Sequence, residues 1–298
     1  MLRECSEKFA KSGVIDMFDF LIVLQARSGS TRLPRKAFYR LSTNGEWLVK
    51  RCLIRLSRLR EELEKLKKRA KLVLAVPEND EFLDKFKRAA YELGVELLMG
   101  SEEHVLSRFW KALENWSSCY VVRATADNAF VDVKAAIELC EEIEKREVDY
   151  CALKNEPLGV GVEVVKADAL LSLKNEKLNE KEIEHVTYAI HNTRKKRFKI
   201  EKMDFSKVYP ALKIQNVRLT LDTLFDWIFQ NFLAKEIEVK FRNWKMFDFD
   251  HLDEILESKR ELLVLEKVAS LYAAGKVAIE IGSSIDLIKF LDIEKFSG

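Results

Sequence analysis

Residues 25–36 read Gln25-Ala-Arg-Ser-Gly-Ser-Thr-Arg-Leu-Pro-Arg-Lys36 and follow directly on an apolar run, Phe18-Asp-Phe-Leu-Ile-Val-Leu24. A short apolar run bounded by turn residues reads as a buried parallel strand. The loop leads toward a long helical pattern that begins near Glu46. In open α/β sheets, ligands bind at the carboxyl ends of the strands. This loop carries the cations Arg27, Arg32, Arg35 and Lys36 and the hydroxyls of Ser28, Ser30 and Thr31. Its Gly29 lets backbone N–H groups approach a ligand. That equipment suits a polyphosphate. Charge alone would describe a solvated basic turn; the position after a buried strand favours the ligand.

Working outward, strand and helix alternate. Residues 46–69 place Val49, Cys52, Leu53, Leu56, Leu59, Leu63 and Leu66 on one helical stripe, with Arg, Lys and Glu on faces that read as solvated. Strands are expected at 71–76, 95–99, 119–124 and 149–153, and helices at 80–93 and 133–146, with Ser101 as N-cap of a further helix. The pattern predicts an α/β fold with a mostly parallel sheet and helices on both faces. Beyond residue 153 a strand is expected at 160–165, helices at 168–173 and 180–195, and a last strand at 216–221. From about 224 the chain reads as helical, ending in a helix near 261–275 and a short apolar tail.

The 298 residues are 48% hydrophobic and 34% charged, enough for a sizeable core under a charged surface of the kind thermophile proteins build. A net charge of +2 without a basic tail demands neither a nucleic-acid polymer nor a membrane surface. No run reaches the length of a membrane span, and the first residues lack the apolar core of a signal peptide. The five cysteines show no Cys-x-x-Cys spacing and read as buried thiols in a reducing cytoplasm.

Two aspartates follow apolar runs: Asp127 after Val121-Val-Arg-Ala-Thr-Ala126 and Asp222 after Val217-Arg-Leu-Thr-Leu221. Both can face one crevice, where two carboxylates and substrate phosphates suit Mg²⁺. Each also suits a helix or turn cap. His185 and His191, six apart, do not make a zinc pattern. No Gly-x-x-x-x-Gly-Lys-Ser/Thr, Gly-x-Gly-x-x-Gly or Gly-x-Ser-x-Gly is present.

The loop at 25–36 resembles the N-terminal signature of sugar-activating cytidylyltransferases. The chain is similar to the cytidylyltransferase-like family of spore-coat polysaccharide biosynthesis proteins, related to the CMP-Kdo and CMP-sialate synthetases. Gly100-Ser-Glu-Glu-His-Val-Leu-Ser-Arg-Phe109, Val122-Arg-Ala-Thr-Ala-Asp-Asn-Ala-Phe-Val-Asp132, Glu184-His-Val-Thr187 and Arg218-Leu-Thr-Leu-Asp-Thr223 match further family segments in order. The likeness covers about residues 18–230.

The resemblance implies a nucleotide-diphospho-sugar transferase fold and a cytoplasmic, Mg²⁺-dependent enzyme. It would join a nucleoside triphosphate, CTP by resemblance, to a sugar or sugar-acid-type acceptor and release pyrophosphate, for polysaccharide or surface-glycan biosynthesis. It implies that Arg27 and Lys36 hold the triphosphate within a nucleotide site of Gln25, Ala26, Ser28, Ser30, Arg32, Ser101 and Arg108. Asp127 and Asp222 would bind Mg²⁺, completing the catalytic set with Arg27 and Lys36, and Arg123, Glu163 and His185 would line the acceptor side. Three departures stand out: Arg35 where relatives carry Gly, Gly161 where they carry Asp, and Ala129 where they carry Pro. Arg35 is expected to add a phosphate or acceptor contact at the mouth of the crevice. The division that follows is an N-terminal extension (1–17, with Met17 a candidate start), a nucleotidyltransferase domain (18–230) and a helical extension (231–298) available for packing or for a homodimer. Alternatives are a glycosyltransferase of the same fold, which Asp127-Asn-Ala129 disfavours for want of a second Asp, and a non-catalytic nucleotide-binding subunit.

Overall fold

The computed structural model describes residues 17–42, 45–211, 217–246 and 248–273. The expectations for residues 1–16, for Asn216 and for the tail beyond 273 lie outside them. One seven-stranded sheet runs in the order β3-β2-β1-β4-β6-β5-β7. Its strands are β1 (Phe18–Gln25), β2 (Ala70–Pro77), β3 (Glu96–Gly100), β4 (Ser118–Thr125), β5 (Tyr150–Lys154), β6 (Glu163–Lys166) and β7 (Ile200–Asp204). Only β6 is antiparallel to its neighbours, β4 and β5.

The centre of the sheet is apolar without a break because both its faces are covered. Along β1, Phe20, Ile22 and Leu24 enter one core, while Leu21 and Val23 enter the core on the opposite face. The first face is covered by α1 (Leu48–Lys65) and α4 (Val133–Arg146), with α2 (Leu83–Glu92) beside them. The second is covered by α3 (Val105–Asn115) and α5 (Ala167–Leu171). The short α6 (Glu180–Glu184) precedes β7, and α7 (Leu224–Phe241), α8 (Leu252–Ser258) and α9 (Arg260–Ala273) close the described chain.

Several expectations change. The stripe on α1 is buried from Val49 to Leu63, each such Leu contributing about 1.5–3 kcal/mol. Leu66 falls past the helix end and is exposed. The basic residues of α1 are not all solvated. Lys50, Arg51 and Arg55 are buried: Lys50 pairs with Glu46 and Glu92, and the segment around Trp244 folds back over Arg51 and Arg55. Arg55 donates to the carbonyls of Val131 and Lys245, and the Arg51 guanidinium lies 4.6 Å from the Trp244 ring centre. The helix expected over 180–195 stops at Glu184 and resumes as a π-helical turn at Ala189–Thr193. Residues 217–221 are not a strand: they make a single parallel bridge, Leu158 to Arg218, and the last strand among the described residues is β7. Ser101 is not the N-cap of α3; His104 is, its Nδ1 accepting from the Ser107 amide.

Candidate active site

The sheet register brings Gln25, Arg123 and Glu163 together. Arg123 on β4 lies opposite Val23 on β1 and opposite Glu163 on β6. Direct cross-strand partners point to the same face, so the two charges meet. The Arg123 guanidinium donates to both the Glu163 carboxylate and Gln25 Oε1. Glu163 also accepts from the Tyr150 hydroxyl (2.6 Å) and the Thr187 hydroxyl (2.8 Å). Burial pushes its carboxyl up, but the Arg123 charge and these hydrogen bonds outweigh that and hold it below its ordinary value.

The loop after β1 turns back on itself at Arg35, whose φ of 61° is left-handed, and enters a 3₁₀ turn at Lys36–Phe38. This sends the Lys36 ammonium to the base of the crevice. There it donates to Asp222 Oδ1 (2.9 Å), the Leu221 carbonyl (2.8 Å) and Asp127 Oδ2 (3.3 Å). Gly adopts such a φ without steric cost, which suits the Gly that the family resemblance implied at this position. The Arg35 side chain does not reach the crevice. It lies over Phe82 (4.9 Å to the ring centre) and 3.7 Å from Glu81, which corrects the expectation of a contact at the mouth.

Asp222 reaches the site without a strand beneath it. Its segment is held by hydrogen bonds from the Leu219 amide to the Leu158 carbonyl and from the Leu221 amide to the Asp127 carbonyl. Gly159, at φ +102°, makes the first approach possible. Beyond it Thr223 and Asp226 form a capping box for α7, so Thr223 and not Asp222 caps that helix. The Asp222 carboxylate accepts from Arg32 (2.8 Å) and Arg218 (2.8 Å) as well as Lys36, and Arg218 also donates to buried Asp226. Burial raises the Asp222 carboxyl, yet Lys36, Arg32 and Arg218 together hold it below its ordinary value.

Above this base opens a cavity of about 390 Å³, lined by Gln25, Ala26, Arg27, Ser30, Arg32, Lys36, Arg108, Arg123, Asp127 and His185. Arg108 comes in from α3, is 2% exposed, and donates to the carbonyls of Ala26 and Ala75. Burial and the charge of Arg27 lower its pKa to about 10, so it stays charged, and its Nε–H is buried without a partner. Arg27 pairs with Glu184 of α6 at 3.5 Å. Ser28 and Ser101 do not line this cavity. Ser28 is buried with its amide on Asp80 (2.8 Å), and the Ser101 hydroxyl accepts from the His104 amide. Of the three residues expected on the acceptor side, His185 lines the first cavity, Glu163 a second one of about 260 Å³, and Arg123 both. Asp226, Asp80 and Tyr150 were not singled out in the sequence, and Arg218 and Thr187 stood there only within matching segments, without a role. Thr223-x-x-Asp226 could have been read as a helix start, but nothing local marked Asp80 or Tyr150.

Among the described residues no three His, Cys, Asp or Glu side chains gather as a metal-binding group. Mg²⁺ beside a nucleotide needs only one or two carboxylates, with phosphate oxygens and water completing the shell. Asp127 Oδ1 is buried with no hydrogen-bond partner, and Asp222 lies across Lys36 from it. That donor set fits Mg²⁺, Asp127 offering the open oxygen. Among the described residues no helix is long and apolar enough to cross a membrane.

A cytidylyltransferase family model matches residues 21–267. The spore coat polysaccharide biosynthesis protein SpsF of Bacillus subtilis is 33% identical over 71% of this chain and 84% of its own length. An uncharacterised protein of Methanocaldococcus jannaschii is 31% identical over 69% of this chain and 79% of its own. Among solved structures, a cytidylyltransferase from Leptospira borgpetersenii superposes with a TM-score of 0.67 at 23% identity, covering 82% of this chain and 96% of that one. A CMP:2-keto-3-deoxy-manno-octonic acid synthetase complexed with CTP gives 0.51 at 13% identity, covering 72% and 98%. At such identities these two speak for the fold.

Proposed function

The chain belongs to the cytidylyltransferase family and is a nucleotidyltransferase, and from that premise we propose that it transfers a cytidylyl group from CTP to a sugar or sugar-acid-type acceptor in the cytoplasm, releasing pyrophosphate, for a surface polysaccharide. The observation that carries this reading is the Lys36 ammonium, fixed by Asp127 and Asp222 at the base of a cavity that also presents Arg27, Arg32 and Arg108. Such cations match a triphosphate and are worth most in a partly closed, poorly solvated site.

In the reaction the acceptor oxygen bonds to the α-phosphorus while the bond from that phosphorus to the bridging oxygen breaks. The electron pair leaves with pyrophosphate, and the acceptor hydroxyl passes its proton to solvent water. No side chain forms a covalent bond to substrate. Catalysis is positioning and charge neutralisation. Arg27 exchanges its exposed pairing with Glu184 for phosphate oxygens, a small loss for a pair half in solvent. Arg108 turns its unpartnered Nε–H to the same anion. Lys36 neutralises charge that builds on the departing pyrophosphate. Mg²⁺, held by Asp127 and Asp222 when bound, would supply further charge neutralisation on the phosphates.

The test is pyrophosphate release from CTP, Mg²⁺ and a panel of sugar acids and sugars, with ATP, GTP and UTP as controls, together with calorimetry on Lys36→Ala. Release with CTP alone among the nucleotides is expected. Lys36→Ala should weaken CTP by about tenfold or more and CMP far less. Equal losses for CTP and CMP would show that Lys36 is a structural cation.

A further inference from the structure

The stretch Arg218-Leu-Thr-Leu-Asp-Thr-Leu-Phe-Asp226 sets one guanidinium four residues before one carboxylate and eight before another. The second carboxylate, Asp226, closes the capping box of α7 with Thr223. A capping box asks that position only for an acceptor, and an uncharged Gln serves it as Glu does. Asp226 does more. Its Oδ2 accepts from the Thr223 amide (2.8 Å), the Thr223 hydroxyl (3.0 Å) and the Asp222 amide (3.0 Å), while its Oδ1 accepts from Arg218 Nε (2.8 Å). Asp226 is fully buried. A buried charge is costly unless it is paired. The cap has no need of that charge; Arg218 has.

Arg218 forks between two carboxylates, its Nε on Asp226 and its Nη2 on Asp222 Oδ2 at 2.8 Å. A guanidinium is planar and rigid, so seating its Nε fixes where its Nη2 points. Asp222 Oδ2 is thereby tied back, and Asp222 Oδ1 faces Lys36 and Arg32. The Arg218 backbone is pinned as well. It bridges to Leu158 on one side, and its amide donates to Glu266 Oε1 of α9 (3.2 Å). The Ser270 hydroxyl, one turn further along α9, donates to the same oxygen (2.6 Å). Helix α9 is itself seated on α7, where Ala269 and Leu265 share a small core with Phe225 and Ile228. Two helices that follow the sheet therefore converge on Arg218, each through one acid. Neither acid lines the nucleotide cavity.

We propose that Asp226 and Glu266 are positioning residues for nucleotidyl transfer: together they fix Arg218, and Arg218 holds the Asp222 carboxylate with Oδ1 toward Lys36 and the crevice. The C-terminal helices thus set the geometry of a residue in the reaction site. This deepens the nucleotidyl-transfer reading and rests on its clause that Asp222 holds Mg²⁺ beside CTP. Asp226 acts through the guanidinium and Glu266 through the backbone of the same residue, and neither touches substrate.

The test is the factor by which Mg²⁺ tightens CTP, obtained by calorimetry on the full chain in Mg²⁺ and in EDTA; it needs no acceptor. Asp226→Asn keeps an acceptor for the cap and removes the charge. It should cut that factor by about tenfold or more, as loss of a group that orients a metal ligand does, and Asp222→Asn should cut it at least as far. Glu266→Ala, at a half-buried position on α9, should cut it by about three- to tenfold for one lost hydrogen bond. Glu266→Gln still offers the Arg218 amide an acceptor and should stay within about twofold of wild type. In the Asp226 and Glu266 variants the affinity for CTP in EDTA should stay within about threefold of wild type, because Lys36 and Arg108 keep their backbone partners. A merely structural residue would weaken CTP with and without Mg²⁺ alike, so equal losses would overturn the proposal. So would an unchanged factor in Asp226→Asn or Glu266→Ala, or a Glu266→Gln variant as impaired as Glu266→Ala. Where Asp226→Asn does not fold, the two Glu266 variants decide alone. A wild-type factor retained in Asp222→Asn, or a wild-type chain whose CTP binding is absent or indifferent to Mg²⁺, would instead sink the reading on which the proposal stands.

Discussion

Gly159→Ala tests how Asp222 is carried to the site. The residue holds φ +102°, and a Cβ there would lie 2.4 Å from both the Leu219 carbonyl carbon and the Thr220 amide nitrogen. Both obstacles are backbone, so no side chain can swing aside. A left-handed conformation costs an L-residue about 1–3 kcal/mol, and overpacking a fitted contact costs about 1–3 kcal/mol more. The two stretches of chain must part by about 1 Å to bring these atoms from 2.4 Å to ordinary van der Waals contact. That loosens the Leu219–Leu158 hydrogen bond (2.6 Å), worth about 1 kcal/mol. A loss of about 3–7 kcal/mol follows, a large part of the stability of an ordinary domain. The same shift moves Asp222, three residues on from Leu219, away from Lys36. Urea unfolding followed by circular dichroism measures the first effect, and CTP titration in the folded range measures the second, expected as about a tenfold loss of affinity. Gly161→Ala is the control: its Cβ meets nothing closer than 3.5 Å, so stability should change by about 1 kcal/mol or less. If Gly159→Ala lost about 1 kcal/mol or less and bound CTP as before, the close approach of residues 157–161 to 219–221 would be wrong.

Asp127→Asn and Asp222→Asn should each lower turnover by about 10²-fold or more at saturating Mg²⁺; near-normal rates in both would remove these residues from the reaction. Hydrogen bonds from Arg194, the main cause, and from Thr193 hold the Glu182 carboxyl at about 2, below its ordinary 4.5, against burial, which raises it. A depressed carboxyl contributes stability above its unfolded value and loses it on acidification, so stability should fall from about pH 4.5 toward pH 2 with Asp222 and Glu163 acting in the same direction. Glu182→Gln should flatten that acid limb in denaturation curves taken across pH, and an unaltered slope would show that this clasp does not titrate. Arg35→Gly relieves a left-handed residue and gives up only exposed contacts. It should leave stability within about 1 kcal/mol and both KM values unchanged, whereas a raised KM would return the side chain to the crevice.

The sequence by itself determined the parts of this protein that local physics controls. The unbroken apolar runs of β1, β2 and β4 announced strands buried on both faces. The stripe on α1 and the bounds of α4 followed from helical periodicity, and the cations after β1 marked a ligand loop because a buried strand precedes them. Tertiary structure alone decided which side chains meet. Asp222 was placed by sequence after a strand, but it arrives on an irregular segment held by Gly159 and by the carbonyls of Leu158 and Asp127, contacts made across a long stretch of chain. Arg51 and Arg55 looked solvated because the residues that cover them come from a distant stretch of the chain, around Glu238 and Trp244. Strand β7 carries too little alternation to be read locally and exists because it completes an edge beside β5. Side-chain period and turn chemistry are properties of neighbours in sequence, and they were legible. The meeting of Arg123 and Glu163 is a property of register, set by packing among strands distant in the chain, and only the folded sheet could bring it about.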